Sequence, residues 1–222
     1  MPILEIIVFF LFTTALTTLV NLSERYFHFG GLLTAGGFLT GVLAYLIPCA
    51  VLIFYVVKIE KAPLSSIGIK KIYWTDIPKG LLLGSLMFVV QQIPLLLMKT
   101  DYSAYAMAPD PGYVVVTSLY CFLCVGFAEE LIFRGFILHK TLSVCSSKIL
   151  SVAVNILLFY AIHWCTMQFV FGEFYNLSTN VILLCTYLFC SKRKSLFPLM
   201  IAHGFYDVLT SVILPVSVWI SL

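Results

Sequence analysis

Ala128-Glu129-Glu130-Leu131-Ile132-Phe133-Arg134-Gly135 sets three charges inside an apolar run from about Tyr113 to Leu138. One charge at the centre of a membrane helix costs on the order of 2.5 to 3.5 kcal/mol, so three together call for a compensating reason, and function is the default one. Glu130 and Arg134 are four residues apart, on one helix face, and can pair. Glu129 is turned about 100° from Glu130 and about 140° from Arg134 at roughly 100° per helical residue. It is the carboxylate without a local partner, and hence the candidate general base. The plainer reading is a Glu130–Arg134 pair that fixes helix packing while Glu129 faces a polar cavity. Packing alone rarely calls for a second acid at this depth.

The rest of the chain is of the same apolar kind. Of 222 residues 61% are hydrophobic and only 10% charged, and the mean hydropathy of +1.05 lies far outside the range of soluble domains. Seven apolar segments can be drawn, at about 3–22, 31–57, 80–98, 113–139, 149–170, 177–190 and 196–219. A crossing helix needs about 20 residues, which most of them supply and the sixth does not. The fold class is therefore all-α, a polytopic transmembrane helical bundle of about seven spans. Residues 1–222 form one integral membrane domain, with no soluble domain.

The net charge is +3, and the basic residues fall in connections rather than on an amphipathic face, so nucleic-acid binding is not supported. The seven cysteines lie mostly in apolar segments as small apolar side chains. Cys121 and Cys124 form a single CxxC within a helix, a weak metal signal without a second pair. Met1-Pro2 offers no basic leader and Glu5 sits where one would be expected, so the first helix is expected to be retained.

Along the chain, a polar connection holds Glu24, Arg25 and His28. The Gly37–Gly41 spacing suggests a close helix approach, and Pro48 is expected to kink the second span. Lys58 to Lys79 mixes five lysines with Ile67, Ile69, Ile72, Tyr73 and Trp74, as expected of a segment at the headgroup level. Gln91 and Gln92 beside Pro94 read as interhelical hydrogen-bonding residues. Asp101 to Pro111 is a polar loop. Connections after spans two, four and six carry ten basic residues, whereas those after spans one, three and five carry only Arg25 and Lys99. The positive-inside rule then puts the first set, and the N-terminus, in the cytoplasm. The expected location is the plasma membrane.

Two more apolar helices carry polar groups: Phe159-Tyr160-Ala161-Ile162-His163-Trp164 and His203-Gly204-Phe205-Tyr206-Asp207. His203 and Asp207 share a face, so the acid can orient the imidazole or both can face one cavity. Depth offers an independent check. Glu129, His163 and His203 lie eleven, fifteen and nine residues from Lys140, Lys148 and Lys194, or about 16, 22 and 14 Å at 1.5 Å per residue. One cavity in the cytoplasmic half can collect Glu129, His163, His203 and Asp207, and entry is expected from that side.

Three motifs in order, Glu129-Glu130 to Arg134 (EExxxR), Phe159 to His163 (FxxxH) and His203 to Asp207 (HxxxD), resemble the CPBP family of intramembrane proteases, also called the Abi or CAAX-protease-like family. The resemblance covers about residues 80–215, the expected catalytic core. Prenyl-protein members usually end the third motif in Asn. An ionised Asp207 accepts but does not donate, so this position offers no stabilising amide. Other members are tied to bacteriocin maturation, self-immunity and peptide-signal processing, and the motifs do not choose among them.

The resemblance implies hydrolysis of a peptide bond in a hydrophobic or membrane-anchored peptide or protein, with membrane lipid as the surrounding partner. Two routes fit the residues. In one, Glu129 with His163 activates water while His203 and Asp207 stabilise the tetrahedral intermediate, Glu130 and Arg134 being structural support. In the other, Glu129, His163 and His203 hold Zn2+ with a bound water. The cofactor is thus none or zinc. Other classes are a proton-coupled transporter, which would need a polar path through the bundle, and a scaffold or immunity protein that keeps the fold without turnover.

Overall fold

The computed structural model describes residues 2–27, 33–97, 103, 106–108, 110–166 and 173–221. These residues are 86% helical, without a strand among them. Among them seven long helices follow in order: α1 (Pro2–Phe27), α2 (Ala35–Ile59), α3 (Asp76–Leu97), α4 (Pro111–Val144), α5 (Lys148–Thr166), α6 (Glu173–Cys190) and α7 (Phe197–Ser221). Five (α1, α2, α3, α4 and α7) are long and apolar enough to span a membrane; α5 and α6 contribute shorter apolar stretches. Each of the seven segments drawn from hydropathy holds one helix. His28 and Asp101, singled out in the connections, and Lys99 lie outside the described residues.

The bundle turns its apolar side chains outward as well as inward. Leu11, Leu39, Leu82, Val89, Leu123, Leu157 and Ile213 are all exposed, a surface that only lipid can cover without penalty. α4 is the central helix: Glu130 through Ile137 are all buried, with α2, α5 and α7 packed against it. α7 in turn lies along α3, and α6 bridges α3 and α5.

Two glycines set a close crossing of α4 and α7. A side chain at Gly126 would come within 2.6 Å of the Met200 carbonyl oxygen, and one at Gly204 within 2.8 Å of Phe122 Cα. α4 and α7 therefore meet backbone to backbone, which only glycine permits. Close approach was expected instead at Gly37–Gly41; those glycines line a cavity.

One end of the bundle is basic and tightly tied. Lys140, near the end of α4, pairs with Glu5 of α1 at 2.6 Å and also with Glu60. Arg193 pairs with Asp76 at 2.7 Å and lies over the Tyr73 ring. Lys70 Nζ donates to the Arg193 carbonyl at 2.6 Å. Gly68, at φ +81° where a side chain would be strained, turns its carbonyl to accept from Leu196 N at 3.0 Å. The segment from Lys58 to Lys79 thus departs from the expectation of a strip merely lying at the headgroups. Trp74 and Tyr73 are exposed, but Ile67 and Asp76 are buried and the strip is fastened to the connection before α7.

Candidate active site

The Gly126–Gly204 crossing brings the acidic turn of α4 against the His203 turn of α7. α4 departs from regular α geometry here, widening into π-helical turns at Cys121–Gly126 and Glu130–Ile137, a distortion common at functional sites. The expected pair survives it: Arg134 Nη1 lies 3.0 Å from Glu130 Oε1, both side chains fully buried. The guanidinium also stacks over the Phe159 ring at 4.5 Å, a cation–π contact that favours Arg at this place.

Glu130 does more than hold Arg134. His203 Nδ1 lies 2.8 Å from Glu130 Oε1. A carboxylate accepts, so Nδ1–H is the donor and Nε2 is the atom left to act. Nε2 faces Glu129 Oε2 at 3.7 Å and Asp207 Oδ2 at 3.8 Å. Those separations exceed a direct hydrogen bond and set both carboxylates beside one imidazole nitrogen. Glu129, His203 and Asp207 are therefore brought together as their spacing suggested.

His163 reaches the same cavity from α5. Its Nδ1–H donates to the Phe159 carbonyl at 2.7 Å, which fixes the ring on its own helix. Phe159 touches both imidazoles, with ring centroids 4.5 Å from His163 and 6.2 Å from His203. The FxxxH motif thus supplies one aromatic that carries Arg134 and borders both histidines.

Sequence reasoning missed Tyr45. Its hydroxyl donates to Glu129 Oε1 at 3.4 Å, and its ring packs edge-on against Tyr120 at 5.8 Å. A lone tyrosine in an apolar helix gives no signal of its own beyond the tendency of a buried phenol to find a partner. Gln91, by contrast, serves as expected, accepting from the Tyr206 hydroxyl to join α3 to α7.

Glu129, Arg134, His163, His203 and Asp207 line a cavity of about 780 Å³. It extends from Phe133 and Leu184 at the level of Arg134 to Val20, Gly37, Tyr113 and Leu214. These last residues stand at the end of the bundle opposite Lys140 and Arg193. None of the described residues in the basic connections lines it. This lining runs away from the basic side, from which depth alone suggested entry. Glu129 is closer to the basic end, but the space beside it leads away from that end, where Leu131, Phe136, Leu138, Leu196 and Leu199 are buried.

Two imidazoles and a carboxylate are the right donor types for zinc, and the Nδ1 of each imidazole is engaged. Their arrangement does not fit. Among the described residues no three His, Cys, Asp or Glu side chains converge closely enough to hold one ion.

Residues 111–209 match the family model described as type II CAAX prenyl endopeptidase Rce1-like. The matched stretch runs from the start of α4 into α7 and contains all three motifs. No curated protein and no solved structure matches the chain.

Proposed function

We propose that this chain, whose residues 111–209 match the Rce1-like family model, is an intramembrane endopeptidase of the CPBP family that hydrolyses a peptide bond in a hydrophobic or membrane-anchored peptide or protein. The observation that carries the reading is the meeting of Glu129, His203 and Asp207 about one imidazole nitrogen, at 3.7 and 3.8 Å, inside a cavity shared with His163.

In this reading Glu129, steadied by Tyr45, takes a proton from water with His163 assisting, and the hydroxide attacks the scissile carbonyl. His203 stands where the developing oxyanion needs a donor. Glu130 holds its Nδ1–H while the carboxylates of Glu129 and Asp207 flank Nε2 and favour the imidazolium, whose Nε2–H donates to the oxyanion; Glu129 then hands the proton it took from water to the leaving amine. Asp207 acts through His203, since an ionised carboxylate has no proton to donate to an oxyanion. Arg134 neutralises Glu130, leaving Glu129 and Asp207 as the acids of the site.

Zinc held by Glu129, His163 and His203 would supply a metal-activated water instead. The dense packing of the basic half weighs against a transporter, which needs a polar path from end to end. The test is cleavage of quenched fluorescent hydrophobic peptides by purified protein in bilayer discs, before and after chelation. Cleavage that is lost in Glu129→Gln and survives chelation supports direct water activation. Loss on chelation, restored by Zn2+, would transfer the water to a metal. No cleavage of any peptide, with the fold intact, would favour the scaffold reading.

A further inference from the structure

The cavity and the basic residues occupy opposite ends of the bundle. Glu5, Glu60, Lys140, Asp76 and Arg193 are joined at one end, and the connections there carry ten basic residues. The cavity continues to Tyr113, the third residue of α4, and to Ser211 and Leu214 of α7. Taking 1.5 Å per residue, Tyr113 lies about 24 Å from Glu129 on the side away from Lys140.

The wall between these levels is polar without being charged. Thr13 and Thr117 hydroxyls and the Asn180 side-chain oxygen are buried and have no protein partner, and all three residues line the cavity. Buried polar atoms of this kind are satisfied by water. At about 30 Å³ per molecule the volume accommodates on the order of twenty waters. A hydrated route to Glu129 is what hydrolysis requires and what lipid does not supply.

We infer that water and substrate reach Glu129 from the non-cytoplasmic face, so that the chain acts on peptide segments presented from outside the cell membrane rather than from the cytoplasm. The orientation follows from ten basic residues against two, and the direction of entry from the residues that line the cavity. The clause about peptides rests on the proposed endopeptidase activity; the direction of entry does not.

Ser211 is exposed and lines the cavity, while Cys190, at the end of α6 on the basic side, is an exposed native thiol. Ser211→Cys and the otherwise identical parent are treated with a membrane-impermeant maleimide in sealed right-side-out and inverted vesicles, and the added label is read over the parent. The added label is expected in right-side-out vesicles and lost altogether in inverted ones, with Cys190 giving the reverse. Added label in inverted vesicles, or in neither, overturns the inference. If Ser211→Cys does not fold, Tyr113→Cys at the same end gives the same reading. Labelling is independent of turnover, so an inactive but correctly labelled chain would count against the endopeptidase and not against the route.

Discussion

The two halves of this bundle are built on different principles although the same helices run through both. Towards the basic end α4 is buried over eight consecutive residues, Glu130 to Ile137, and Leu52, Val56, Phe136 and Leu196 show no exposed surface. Towards the other end the same helix offers Tyr113, Thr117, Tyr120 and Cys121 to a cavity of about 780 Å³. Charge follows the boundary. Arg134 and Glu130 lie just inside the packed half, where each neutralises the other; Glu129, His203 and Asp207 stand at the floor of the cavity. One helical position therefore separates an acid that holds structure from an acid that faces water.

The sharpest way to break this contrast is to exchange the roles of the neighbouring acids. Glu129→Gln is expected to reduce turnover about 10² to 10⁴-fold, the usual contribution of a general base, and to leave thermal stability within the scatter of the wild type. His163→Ala should do the same. Paired melting and peptide-cleavage measurements on each purified variant check both halves of the claim, and a wild-type rate in folded Glu129→Gln would remove that acid from the chemistry.

Arg134→Ala should instead act through the fold. It takes the permanent counter-ion from Glu130 in the packed half and leaves it only the His203 Nδ1–H, at a cost of about 3 to 5 kcal/mol, and it releases the Phe159 face. Lower stability in detergent, together with lower activity, is the expected outcome. An unchanged melting temperature would mean that the 3.0 Å pair contributes nothing.

That division was half legible in the residues. Hydropathy located all seven helices because a lipid-facing surface must be apolar, and the i,i+4 rule found both Glu130–Arg134 and His203–Asp207. The π-helical widening of α4 has no sequence signature. Nor does the Gly126–Gly204 crossing, where two single glycines on distant helices meet and no repeat within one helix announces them. The direction of the cavity was hidden for a related reason. Thr13, Thr117 and Asn180 read as ordinary polar residues in apolar helices, and only their burial on one side of Glu129 reveals a wall. Depth counted from lysines fixed the level of the site and could not tell which side of that level was filled.

Gly204→Ala tests the crossing that joins the halves. Its added methyl would meet Phe122 Cα at 2.8 Å, and relief by helix separation is expected to cost about 1 to 3 kcal/mol. Activity should fall by more than stability alone explains, because the Glu129–His203 spacing opens. Cleavage measured well below the melting temperature separates the two effects.

Tyr45→Phe is expected to have the smallest effect. It removes one hydroxyl from Glu129, worth about 0.5 to 1.5 kcal/mol, and should lower kcat severalfold with KM unchanged. A change confined to KM would move Tyr45 from supporting the base to contacting the substrate.

The central claim is that Glu129 at the cavity floor drives peptide hydrolysis, and it can be read without knowing the substrate. Mass-spectrometric profiling of protein N-termini in membranes from cells producing the wild type or Glu129→Gln, at matched levels, measures it directly. New N-termini within or beside membrane segments are expected in the wild type and absent in Glu129→Gln. The same N-termini in both, with the variant folded and inserted, would contradict it.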